Sequence, residues 1–242
     1  MKEDELVISH GLLEQKQLTI PYNRIQAIQI KEELLRQPLG YATLKLDSAG
    51  YGDEGGRSVT LFPLLPKAQL QEFVKEVLPE YYEQVQSLRP PSRSLRRYLF
   101  RSLLTSLVVI LPVWALLPLG YYSLLLMIPA LVLGYMQYRD TAIGVNEDSM
   151  ILSYRLLSLN TVILKKYRVQ TVENRTNPFQ KRQGLAHFTV TVASGSEGHE
   201  FTIRDLEKEH AGYFWEWPSV KSEDKEANLF EEKPGSKLLP RF

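Results

Sequence analysis

Several short stretches near the start of the chain are rich in β-branched and aliphatic residues: LVISHGLL, KQLTIPY, RIQAIQIK, YATLKLDS and SVTLF. In YATLKLDS, Ala42, Leu44, Leu46 and Ser48 fall on one face, with Thr43, Lys45 and Asp47 on the other. A period of two predicts half-buried strands, and the Gly, Asn and Pro between the runs predict turns. The period then changes. Leu70, Phe73, Val74, Val77, Leu78, Tyr81, Tyr82 and Val85 recur at three-and-four spacing, which predicts a helix bent at Pro79. Leu206, Tyr213, Phe214 and Trp217 predict a second, less regular helix.

Between Arg101 and Arg139 lie 37 residues without a charge, SLLTSLVVILPVWALLPLGYYSLLLMIPALVLGYMQY. One membrane span needs about 20 apolar residues, so this run fits two short spans. Pro118-Leu119-Gly120 punctuates its middle, which places the spans at about 102–118 and 120–137. Each would be about 26 Å long, with kinks expected at Pro112 and Pro129. Arg89, Arg93, Arg96, Arg97 and Arg101 precede the run and Arg139 follows it. Arginine excess at span ends stays cytoplasmic. An even number of spans returns the chain to the same side, so both flanks are expected in the cytoplasm.

The chain repeats itself across this run. RIQAI at 24–28 returns as RVQTV at 168–172, and at the same offset KEDELVIS lies over NEDSMILS and GLLEQKQLTIP over RLLSLNTVILK. Matched identities include Asp4/Asp148, Ser9/Ser153, Leu12/Leu156, Arg24/Arg168, Gln26/Gln170, Gly40/Gly184 and Ala42/Ala186. A slip of two residues then brings VTLFPL (59–64) over FTIRDL (201–206). One domain type therefore occurs twice. Strands followed by one helix make an α+β plan, a curled sheet or open barrel closed by its helix. The expected organisation is a domain over 1–88, a basic juxtamembrane linker over 89–101, a helical hairpin over 102–138, a second domain over 139–217 and a disordered tail over 218–242.

Composition narrows the chemistry. Lys and Arg number 29 against 28 Asp and Glu, so net charge names no partner. There is no cysteine, and the four histidines form no ligand-like cluster, so no metal or cofactor is expected. GYGDEG (50–55) fits a dinucleotide fingerprint, but a strand and not a helix follows it, so it reads as a hairpin loop. Basic and aromatic residues interleave only beside the spans, as interfacial belts, which argues against nucleic acid. Arg93, Arg96, Arg97, Arg101 and Arg139 read as a topology signal, with anionic lipid head groups as the alternative reading.

The string IPYNRIQAIQIKEELLRQPLGYATLKLDSAG resembles the signature of the bacterial pleckstrin-homology-like (PH-like) domain of YdbS/YdbT-type membrane proteins. The first copy matches at Ile20, Pro21, Arg24, Ile25, Gln26, Ile28, Leu39, Gly40, Ala42, Leu44, Leu46, Ser48, Ala49 and Gly50. The second departs at Lys165, Gln183 and Ser194. The resemblance implies two PH-like barrels around a transmembrane hairpin, no catalysis, and a chain lacking N-terminal segments that family members carry. The first hairpins hold one cation each, Lys16 and Arg155, so phosphoinositide recognition of the eukaryotic kind is disfavoured. Arg24 with Gln26, and Arg168 with Gln170, either fix a neighbouring loop or offer a donor fork to a partner.

The function expected is a multi-pass cell-membrane protein whose cytoplasmic PH-like domains bind the membrane surface or scaffold a partner or further copies of themselves. A sensor recruiting an effector under envelope stress is a neighbouring reading. An accessory subunit of a lipid-modifying or transport complex is the alternative.

Overall fold

The computed structural model describes residues 5–10, 16–48, 58–82, 85–116, 118, 120–194, 198–219 and 237–238. The GYGDEG loop and nearly all of the tail lie outside the described residues; Lys237–Leu238 is a short strand. The first repeat runs β1 (Glu5–His10), β2 (Lys16–Pro21), β3 (Ile25–Glu32), β4 (Tyr41–Ser48), β5 (Ser58–Pro66) and α1 (Lys67–Val77). A short β6 (Gln86–Leu88) leads to α2 (Leu95–Leu116) and α3 (Met127–Asp140). The second repeat follows as β7 (Ala142–Val145), β8 (Ser149–Arg155), β9 (Leu159–Lys165), β10 (Val169–Arg175), α4 (Pro178–Gln183), β11 (Leu185–Val192), β12 (His199–Glu207) and α5 (Lys208–Glu216). The architecture is α+β, two PH-like domains around a helical hairpin.

The repeats are not separate barrels. β9 of the second pairs antiparallel with β3 of the first, from Ala27↔Leu164 to Glu32↔Leu159. One sheet thus runs β6-β7-β8-β9-β3-β4-β5 across both repeats. β1-β2 and β10-β11-β12 form the smaller sheets. The β8-β9 hairpin is buried on both faces. Ile151 and Ile163 pack into the first core with Ile28, Ile30, Leu44 and Leu46. Their neighbours Met150, Leu152, Val162 and Leu164 pack into the second core with Phe188, Val190 and Phe201. Burial on two faces accounts for the unbroken apolar run Val162-Ile163-Leu164, where alternation would mark a one-sided strand.

Several expectations are corrected. The face of β4 read as solvated is largely covered: Thr43 and Asp47 are buried, and Asp47 Oδ2 accepts from Gln29 Nε2 at 2.6 Å. His199 of the second repeat also reaches Asp47, at 3.2 Å. The first closing helix stops at Val77 because Pro79 cannot continue it. Tyr81 and Val85 still bury in the first core, Tyr81 from a 3-10 turn and Val85 from the position just before β6. The overlay of β5 on β12 moves by one residue. A register shift between Leu44 and Lys45 brings Leu65 opposite Ala42, as Leu206 stands opposite Ala186. Leu64 therefore corresponds to Asp205.

The helical segments Ser92–Leu116 and Gly120–Asp140 are long and apolar enough to cross a membrane. α2 starts inside the stretch read as a linker and continues through Pro112. The second segment is 3-10 over Gly120–Leu126 and α-helical only from Met127. Pro129, lacking an N–H and crowding the carbonyl four residues back, suits the first turn of an α-helix. The helices run antiparallel. A Cβ on Gly134 would come within 3.1 Å of the Tyr98 carbonyl, so the close approach favours glycine. Ser102 Oγ donates to the Ala130 carbonyl at the same level.

Candidate membrane-base site

Two half-buried arginines of the basic stretch, Arg97 and Arg101, converge on one aspartate. β12 bulges before Leu206, and Asp205 there takes φ 56°, a left-handed conformation that short polar side chains tolerate. The turn aims its fully buried carboxylate at the base of α2. Arg97 Nε donates to Oδ1 at 2.8 Å, Arg101 Nη1 to Oδ2 at 3.2 Å, and Gln180 Nε2 to Oδ1 at 2.9 Å. Ser94 Oγ donates to the Asp205 carbonyl and the Tyr98 hydroxyl to the Arg204 carbonyl. Arg93 pairs with Glu207 at 2.9 Å. Burial alone would raise the Asp205 carboxyl. The Gln180 hydrogen bond and the charges of His187, Arg97 and Arg101 outweigh it and hold the group below its ordinary range. Burial pushes the neighbouring His187 below the ordinary imidazole value, against the pull of Asp205.

The base of α3 is tied in the same way. Asp140 Oδ2 accepts from Arg155 Nε at 2.5 Å, and Arg155 Nη2 donates to Gln37 Oε1 at 2.9 Å. Gln137 Nε2 donates to the Leu156 carbonyl at 2.9 Å, and Arg139 pairs with Asp140. The second repeat thereby holds the feet of both helices, and among the described residues the long turn of the first reaches them only through Arg155. The first turn ends at Gly40 and the second at Gly184, with φ of 73° and 64° that only glycine adopts readily. These turns and the β8-β9 turn expose Leu35 (85%), Leu39 (71%), Phe179 (71%) and Leu157 (62%) beside the helices. Between α2, α3 and the second repeat runs a groove of about 780 Å³. Val109, Ala130 and Leu133 line its apolar end, and Arg101, His199 and Arg204 the polar end. Arg96 and Arg204 are exposed and make no ion pair among the described residues.

Of the flanking arginines flagged from sequence, Arg93, Arg97, Arg101 and Arg139 are engaged with acids, whereas Arg89 and Arg96 are exposed and make no ion pair among the described residues. Asp205 escaped the sequence reading, and Arg155 was noted there only as the single cation of its hairpin. An acid in the otherwise apolar-alternating FTIRDL, over Pro63 of the first copy in the sequence overlay, was the available signal. The RIQ phrase divides. Arg24 is exposed, and buried Gln26 donates to its carbonyl at 3.2 Å. Arg168 lies over the Tyr167 ring, 4.7 Å from its centroid, and against the hydroxyl of Tyr81 in the first repeat. Tyr81 in turn donates to the Ile25 carbonyl at 3.1 Å. Gln170 is exposed.

A family profile described as Bacterial PH domain matches residues 1–81 and 99–220. The chain is 39% identical over 227 residues to the transmembrane protein YdbT of Bacillus subtilis (strain 168). That match covers 92% of this chain and 46% of the relative, so the chain spans about half of the curated protein it matches.

Proposed function

Since this chain belongs to the bacterial PH domain family, and is a membrane protein with two PH-like domains, we propose that it is a multi-pass platform. Both domains sit on the cytoplasmic face and present one rigid surface to the membrane and to a protein partner or further copies, with no catalysis. The carrying observation is that both repeats share one sheet, and that the second repeat is tied to the feet of both helices of the antiparallel pair. Arginine excess at the helix bases supports the cytoplasmic side. The exposed leucines beside the helices support contact with the bilayer surface. Protease digestion of oriented vesicles should remove both repeats from the cytoplasmic side; cleavage of the repeats from opposite sides would overturn the reading. Purification in mild detergent should retain a partner or further copies, and a lone monomer would count against a platform.

The groove favours a second reading, an accessory role in lipid handling. Its apolar end and its Arg101 and Arg204 end match the two halves of an anionic phospholipid. Native mass spectrometry should then show retained phospholipid that Arg204→Ala releases, and equal retention by both proteins would dismiss it.

A further inference from the structure

We propose that β10 is an acceptor edge for the β1-β2 hairpin of a second copy of this chain, joined as β8-β9 is joined to β3. Such rows presuppose the one-sided platform described above. The template lies within the molecule. β3 and β10 are the same strand of the two repeats, and β1-β2 and β8-β9 are the same hairpin. In the middle of the molecule, hairpin and strand meet across the repeats, in register from Ala27↔Leu164 to Glu32↔Leu159. At the two outer ends the same parts are unjoined. Among the described residues, β10 pairs only with β11, and β1 and β2 pair only with each other.

Burial follows this difference. Gln26, Ala27, Ile28, Gln29 and Ile30 of β3 are all buried. Their counterparts Gln170, Thr171 and Asn174 are exposed, and Val172 and Glu173 half-buried. On the donor side, Ile151 and Ile163 plug the first core. The counterpart of Ile151 is Val7, 52% exposed, and that of Ile163 is Thr19, also exposed. The irregularity at the start of β10, between Val169 and Thr171, does not block pairing. β3 carries the same one between Ile25 and Ala27 and still receives β9. An unpaired strand edge offers its backbone groups to another chain.

Transferring the register predicts Thr19 opposite Val172 and Ile20 opposite Thr171. Arg175 falls opposite Lys16, but its guanidinium is already paired with Glu173. The outer joint is less apolar than the inner one, with Thr19 for Ile163 and Asn174 for Ile30, so it is the weaker and exchangeable copy. Donor and acceptor are different surfaces, so the contact is head-to-tail and builds rows or rings along the membrane face.

The chain has no cysteine, so the joint can be read by disulfide trapping. Two differently tagged full chains, Thr19→Cys and Val172→Cys, are co-expressed and oxidised in native membranes. The expected product is a mixed dimer, on the order of ten-fold more abundant than from Thr19→Cys with the off-register Arg175→Cys, given the short Cα separation a disulfide tolerates. Lys31→Cys with Asn160→Cys in one chain, across the existing joint, should close internally and shows that oxidation and folding are intact. If that control closes while the in-register pair traps no more than the off-register pair, the proposal fails. A dimer formed by Val172→Cys with itself would replace it with an edge-to-edge contact. Either failure leaves the vesicle digestion unchanged, so the platform reading is judged separately.

Discussion

At matched positions the two repeats spend the same strand features differently. Both have a bulge before the end of the last strand. In the first repeat it carries Pro63 and the half-exposed Leu64, and the Pro63 carbonyl accepts from Thr43 and Arg36 of its own repeat. In the second it carries Arg204 and Asp205, and holds the foot of α2 through Ser94, Arg97, Tyr98 and Arg101. The second repeat is therefore the one fixed to the apolar helices. The first is held largely through the second, by the β3-β9 seam, the Gln37–Arg155 hydrogen bond and the Tyr81–Arg168 contact. A repeated fold does not imply repeated attachment. One polar side chain at one bulge decides which copy carries the load.

This asymmetry can be broken at several places, followed by thermal unfolding in detergent micelles. The largest effect is expected for Asp205→Ala, which leaves Arg97 and Arg101 without their acid and should cost on the order of 4 kcal/mol. Its counterpart Leu64→Ala should stay within about 0.5 kcal/mol; equal losses would refute unequal attachment. Next comes Ile163→Ala, which opens a cavity in the first core although the residue belongs to the second repeat, at about 3 kcal/mol. Its counterpart Thr19→Ala should be near neutral. Tyr81→Phe, which leaves the Ile25 carbonyl without its donor, should cost about 1 kcal/mol.

The smallest effect is a pH dependence confined to the second repeat. His187 has a depressed pKa in the fold, so the unfolded chain takes up its proton first. Its contribution is complete above the ordinary imidazole value of about 6.5 and is lost as pH falls below it. Asp205, also depressed, loses its contribution only at lower pH, below the ordinary carboxylate value of about 3.9 and through its folded pKa. His187→Asn should remove the first step and leave the second. Persistence of the first step in that variant would assign it elsewhere.

Much of the architecture was legible. The duplication, the paired apolar helices and the period-two strands all follow from spacing. What alternation could not reveal was which strand pairs with which repeat, because a strand edge carries no address in its own periodicity. The one trace lies in a single comparison, Leu18-Thr19-Ile20 against Val162-Ile163-Leu164: the added isoleucine marks a strand covered on its second face. The base of α2 was half legible. The arginines stood out by number, whereas Asp205 comes more than a hundred residues later and meets them only through a bulge that shifts the strand by one residue.

The β8-β9 hairpin has a consequence for biosynthesis. Ile151 and Ile163, which complete the first core, leave the ribosome after both apolar helices have been made. The first repeat must wait in an unfinished state, its β3 edge open, until both apolar helices and then the hairpin have been made. Its completion is thus timed by synthesis of the second repeat, and a nascent chain stalled before Ile151 would hold it incomplete.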